Sequence, residues 1–194
     1  MEEQIKQLKD EAALVERAKT DDADFEILYY HYFPKIYAFV IRRVGNRETA
    51  EDIVSNVFLK AFSNLKKYND RGFTFGAWLY RIATNCLTDH YRHQTRHHEI
   101  TTEDGLANEP GKESSKQEAE KNSDREAIEK VLVLLPERYS QAVYLRYFAE
   151  MEIYEIADVM KVSKAHASVL IHRALESFKH ECAKTGIKFF SFIF

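Results

Sequence analysis

The stretch Ile100 to Asp124, "ITTEDGLANEPGKESSKQEAEKNSD", constrains this chain most. Across it Ile100 and Leu106 are the only apolar side chains larger than Ala apart from Pro110. Such a segment cannot bury enough apolar surface to offset the entropy of ordering it. No single core can run through it, so it reads as a linker between two lobes of about 10–98 and 125–183. Only 6 Gly and 3 Pro in 194 residues argue against a turn-rich β fold.

Within the lobes the apolar residues recur at helical spacing. Phe25, Leu28, Tyr29, Tyr32, Phe33, Ile36, Tyr37, Val40, Ile41 and Val44 mark one helix, which Pro34 is expected to kink or split. Gly45-Asn46 stops it and caps the next. There Ala50, Ile53, Val54, Val57, Ala61 and Leu65 form a buried stripe, with Glu48, Glu51 and Asp52 near the positive helix start. A long helix follows from about Thr74, with Trp78, Leu79, Ile82, Ala83, Cys86, Leu87 and Tyr91 inward. The second lobe opens with "REAIEKVLVLL", stops at Pro136, and continues with "ERYSQAVYLRYFA". It closes on two helices joined by a tight turn, "EIYEIADVMKVSKAHASVLIHRALESFK". Ile153, Ile156, Ala157 and Met160 give the first of these its core face. Ser163 caps the second, in which Ala167, Leu170, Ile171, Ala174 and Phe178 are partly buried. No strand candidate survives, and the expected fold is all-α, in two small helical domains.

Charge is segregated. The formal net charge is −3, yet residues 25–98 hold 11 Lys/Arg against 6 Asp/Glu, while residues 99–126 hold 4 against 9. Attraction to a polyanion depends on charge within a Debye length of about 8 Å. Nucleic acid is therefore to be sought at the first lobe. Cys86 and Cys182 lack the spacing of a zinc site and are too few for a disulfide scaffold. The acidic, polar N-terminus is unlike a signal peptide, and no apolar run approaches a membrane span. A cytoplasmic location is expected.

Arg81, Asn85, Thr88, Arg92 and Arg96 recur every three or four residues, on a face read as opposite the Trp78 stripe. The loop before them offers Tyr68, Asn69, Arg71, Phe73 and Phe75. Cations, stacking rings and an amide suit single-stranded DNA with flipped bases. The plainer reading is a solvated basic face beside core aromatics. Phe58, Leu59 and Phe62 widen the apolar arc of "AEDIVSNVFLKAF", beside Glu51, Asp52 and Asn56. That arc fits either a partner protein or a helix sandwiched in its own bundle. In the last helix Lys164, His166, Ser168, Arg173 and Lys179 are exposed, with Arg173 the best candidate for reading bases. His90, His93 and His97 have a helical spacing compatible with a metal, but a polar helix end explains them more simply. No phosphate loop, catalytic triad or HExxH pattern is present.

In this order the motifs resemble a bacterial sigma factor of the extracytoplasmic-function (ECF) group. "DADFEILYYHYFPKIYAFVIRRVGNRETAEDIVSNVFLKAF" is similar to the first segments of sigma region 2. "FGAWLYRIATNCLTDHYRHQTR" resembles its promoter-melting and minus-ten-reading segments, and "LPERYSQAVYLRYFAEMEIYEIADVMKVSKAHASVLIHRALESFK" resembles region 4. The likeness implies a region 2 domain over 10–98, a linker over 99–124, a region 4 helix-turn-helix domain over 125–183, and a Phe-rich tail over 184–194 outside the resemblance. It implies a transcription initiation factor without catalytic residues, cofactor or metal.

The implied contact with core RNA polymerase is Glu51, Asp52, Ile53, Asn56, Phe58 and Phe62. The single-stranded minus-ten DNA would meet Tyr68, Asn69, Arg71, Phe75, Trp78, Arg81, Asn85 and Arg92. The duplex minus-thirty-five element would meet Lys164, His166, Ser168, His172 and Arg173. An anti-sigma protein is a further family expectation. The chain departs from the family where Lys161 replaces a turn glycine and where Ala165 to Leu170 replace Gly-Thr-Val and basic residues. A stand-alone helix-turn-helix regulator, a histidine-rich metal hydrolase and a structural scaffold are the competing readings.

Overall fold

A computed structural model describes residues 10–69, 72–101 and 130–186, with side chains in the second stretch through residue 94. The chain divides into two compact units, Met1–Glu113 and Ser114–Phe194, each taken here by itself. The described residues contain no strand, and the fold is all-α. Most of the linker, from residue 102, and the segment 187–194 lie outside them.

Unit 1 begins with a helix that the sequence pattern did not single out, α1 (Glu11–Ala18). Asp10 caps it by accepting from the Ala13 N–H at 3.1 Å, and Leu14, Val15 and Ala18 bury its inner face. Arg17 ties it to the next helix through Asp24 at 3.0 Å. Helix α2 (Asp22–Val44) starts at Asp21, which accepts from Ala23 N–H at 2.9 Å. It ends at Gly45, whose φ of 66° lies in the left-handed region that favours glycine.

Pro34 does not split α2, which runs through it unbroken. The carbonyl deprived of its donor belongs to Tyr30, which is 62% exposed, and Pro34 is itself exposed. Water can take the place of the missing hydrogen bond on that face, which lowers the cost of the proline.

Asn46 opens α3 (Arg47–Asn64) by accepting from Thr49 N–H at 2.9 Å. Its stripe from Ala50 to Leu65 is buried throughout, as the periodicity demands. A 3-10 turn, Leu65–Lys67, ends the helix. Helix α4 (Phe75–Thr101) follows the loop, started by the Thr74 hydroxyl accepting from Ala77 N–H at 3.2 Å. Leu79, Ala83, Cys86 and Leu87 are buried as expected. Tyr91 is not inward: it is 41% exposed and reaches back to donate to Arg43 O at 2.7 Å. A phenol lays its ring on the helix surface and keeps its hydroxyl at a polar partner.

In unit 2 residues 130–134 are helical, with Val131, Leu132 and Leu135 buried. Pro136 precedes α5 (Glu137–Tyr147), and α6 (Ile153–Met160) and α7 (Lys164–Thr185) complete the unit. Both α5 and α6 pack on α7. The α7 residues expected to be partly buried, Ala167, Leu170, Ile171, Ala174 and Phe178, are core residues. Leu170, which stands where a groove-reading cation would be sought, is thus explained by packing.

Candidate nucleic-acid and partner interfaces

The end of α3, the 3-10 turn and the first half of α4 enclose a groove of about 340 Å³. Lys60, Asn64, Lys67, Tyr68, Trp78, Ile82 and Asn85 line it. The spacing of Trp78 and Asn85 explains their meeting: seven residues are 700° of helix, within about 20° of two full turns. The expectation that the Asn85 face lies opposite Trp78 is therefore wrong, and ring and amide share one wall. Arg92, a further seven residues on, extends the same line and is exposed. Asp89, 4.0 Å away, is also exposed, a pair too weak to hold the guanidinium from another anion.

Aromatic packing fixes the groove wall. Tyr68 lies 4.8 Å from Trp78 and 5.7 Å from Phe75, and Phe75 lies 5.4 Å from Trp78. Phe75 is 2% exposed, so its role is support, while Tyr68 and Trp78 are half-buried. The Tyr68 hydroxyl donates to Phe73 O at 3.1 Å and closes the loop on itself. Asn69 and Arg81 are exposed. Arg71 and the side chain of Arg96 lie outside the described residues.

Lys60, Asn64 and Lys67 were not singled out in the sequence, although their spacing of four and three residues puts them on one helical face. On the floor of the groove the Lys60 ammonium donates to Cys86 Sγ at 3.4 Å, and the Asn64 amide donates to Lys60 O at 2.8 Å. Burial pushes the Cys86 thiol up, with Lys60 opposing.

The outer face of α3 divides the residues assigned to a protein contact. Glu51, Asp52 and Asn56 are exposed, Phe62 is 44% exposed, and Leu59, two turns beyond the acids, is 63% exposed. Ile53 and Phe58 do not belong to that surface, at 6% and 5% exposed. Phe58 packs edge-on against Tyr29 at 4.7 Å and beside Phe33 at 6.2 Å. The wide apolar arc thus has two causes, an aromatic seam with α2 and an unburied strip around Leu59. Arg47 holds Glu51 at 2.7 Å.

In unit 2 the turn between α6 and α7 places Lys161 at φ 55°, ψ 47°, with its N–H on Ala157 O and Asp158 O. The Ser163 hydroxyl then accepts from His166 N–H at 3.2 Å and starts α7 as expected. Lys164, His166, Ser168, His172 and Arg173 are all exposed. They form two rows, Lys164, Ser168 and His172 on one side and His166 and Arg173 on the other. Val169, 50% exposed, stands between them; the sequence marks it as a departure from the family but not as a contact residue. Among the described residues no group of three or more His, Cys, Asp or Glu is placed to hold a metal ion. No helix among them is long and apolar enough to cross a membrane.

These surfaces agree with what the chain is similar to. The Sigma-70 region 2 family matches residues 28–97, and the Sigma-70 region 4 family matches residues 125–178. Two helical units carrying those matches in that order define the class, and the chain belongs to the sigma-70 family, in its ECF group. The ECF RNA polymerase sigma factor BldN of Streptomyces coelicolor is 34% identical over 166 residues, which cover 84% of this chain and 62% of BldN. The ECF RNA polymerase sigma factor SigW of Bacillus subtilis is 27% identical over 179 residues, 86% of this chain and 94% of SigW. Among solved structures, the sigma factor RpoE of Bartonella quintana, crystallised with the anti-sigma factor NepR, shares the fold. It matches with a TM-score of 0.67 at 19% identity, over 82% of this chain and 97% of RpoE.

Proposed function

We propose that this chain is a transcription initiation factor that binds core RNA polymerase, selects promoters and holds the minus-ten region open. The observation that carries the reading is the groove in which Tyr68 and Trp78, the Asn85 amide and the Lys60 and Lys67 ammonium groups meet. A flipped base needs a ring to stack on, worth about 1–3 kcal/mol, an amide for its edge and cations for its phosphates. Arg81 and Arg92 on the outer turns of α4, with Asn69 and Arg71 in the loop, would follow the strand's backbone. The chain makes and breaks no covalent bond in this scheme; catalysis is the polymerase's.

Docking on core polymerase falls to the exposed α3 strip of Glu51, Asp52, Asn56, Leu59 and Phe62, with Ile53 and Phe58 setting its shape from below. The minus-thirty-five duplex would meet α7. Lys164, Ser168 and His172 suit one wall of the major groove, His166 and Arg173 the other, and Val169 suits a thymine methyl between them. Domain limits of 10–98 and 125–183, the intervening acidic linker and a cytoplasmic location complete the proposal. An anti-sigma partner is included, by analogy with the RpoE–NepR complex.

The test is in vitro transcription on a pool of promoter fragments, with core polymerase alone and with the chain added. Discrete new starts that depend on the chain support the reading. Core binding without new starts would remove the promoter-selecting role, and duplex binding without core binding would favour a stand-alone regulator.

A further inference from the structure

Tyr68 stands between two grooves. On one side is the groove of Trp78 and Asn85. On the other, a groove of about 360 Å³ separates α1 from the loop ahead of α4, with Glu11, Val15 and Glu16 facing Phe73 and Thr74. Residues matched to the family begin at 28, so α1 is not among them. Behind the loop stands Tyr32 of α2, 8% exposed, whose hydroxyl donates to the Glu11 carboxylate. Its ring meets Phe75 edge-on at 5.6 Å. The same ring lies so close to Gly76 that a Cβ there would stand 3.0 Å from Cε1 and 3.1 Å from the hydroxyl oxygen. Contacts therefore run from α1 through Tyr32 to Phe75 and Gly76, and from Phe75 to both rings of the groove wall.

We propose that Glu11 and Tyr32 are positioning residues for base capture: the carboxylate–phenol bond from α1 sets the Tyr32 ring, which sets the Tyr68–Trp78 wall. This rests on reading the Asn85 groove as the base-capture site. A ring held by packing alone can slide along its neighbours, whereas a directed hydrogen bond to a charged acceptor fixes its tip. Burial pushes the Tyr32 hydroxyl above its ordinary titration range, with Glu11 adding to the effect, so it stays a donor. Glycine at 76 lets the Tyr32 ring approach the backbone where a Cβ would crowd it, so the start of α4 lies next to any shift of Tyr32. No α1 residue lines the Asn85 groove, so in this scheme α1 acts on base capture through the ring contacts rather than by lining the site.

The experiment uses the full chain bound to core polymerase and compares wild type with Tyr32→Phe, Glu11→Ala and Glu11→Gln. It measures core affinity, melting temperature, and permanganate reactivity of unpaired thymines at a chain-dependent start. Tyr32→Phe and Glu11→Ala are expected to cut strand opening about tenfold, the scale of one lost hydrogen bond to a charged group, at unchanged core affinity. Glu11→Gln, which keeps an acceptor, should restore most of the opening, and Tyr32→Phe with Glu11→Ala should be no worse than either alone. Full opening by Tyr32→Phe would overturn the latch, as would equal loss of opening and core affinity. A wild-type chain that opens no promoter would overturn the functional reading itself, which separates that failure from this one.

Discussion

At the scale of single residues, five positions translate directly into measurements. Lys161 occupies a left-handed conformation that costs a non-glycine residue about 1 kcal/mol. Lys161→Gly should therefore raise stability by about 0.5–1 kcal/mol in urea titration, less the extra entropy of an unfolded glycine. Phe58→Ala should cost about 3–5 kcal/mol, because it opens a hole between Tyr29 and Phe33. It is consequently the wrong probe of polymerase docking; Leu59→Ala removes exposed surface and should weaken core binding while leaving the melting temperature unchanged. Cys86 and Cys182 are buried, and burial pushes both thiols up. Both should resist iodoacetamide at pH 7.5 in the native chain and react once it is unfolded, as read by mass spectrometry.

The helices show which features could be read from the sequence and which could not. The α3 stripe and the caps at Asn46 and Ser163 were legible because each depends on local spacing and one short hydrogen bond. Helix α1 was not: it buries only Leu14, Val15 and Ala18 of its eight residues, within an acidic N-terminal segment. Periodicity also cannot say how wide a buried face is, since that is set by the neighbours. Phe58 and Phe62 look alike in the sequence, yet one fills a seam and the other leans on Phe25 at 4.9 Å with its outer edge in water. Asn85 shares the face of Trp78 because alternating steps of three and four residues add up to seven, close to two full turns of helix.

On α2, burial and the neighbouring Lys35, whose ammonium donates to His31 Nε2 at 2.7 Å, hold the His31 imidazole below its ordinary value. The unfolded chain takes up that proton near pH 6.5 and the folded chain resists it. Stability should accordingly be full above about pH 6.5 and decline as pH falls through the folded value. His31→Gln should flatten that slope in denaturation measured from pH 5 to 8.

For the whole molecule, charge distribution matters more than the net charge of −3. The excess of cations in residues 25–98 is flanked in the sequence by acidic stretches on both sides, which lowers the net attraction of the free chain to a duplex. Bound to core polymerase, it would add a few well-placed cations to an enzyme that already holds the DNA backbone. The expected outcome is weak, salt-sensitive binding of the free chain to duplex DNA and promoter-selective binding by the complex, compared by fluorescence anisotropy at matched ionic strength. Tight duplex binding by the free chain would count against this division of labour.

Trp78 is the only tryptophan in the chain, and it lies in the wall of the groove beside Asn85. The protein therefore carries its own optical reporter at the place where a base would stack. Excited at 295 nm, its emission should be quenched and its decay shortened when a single-stranded oligonucleotide enters, with no contribution from another indole to subtract. Stopped-flow mixing would then time base capture on an unlabelled chain.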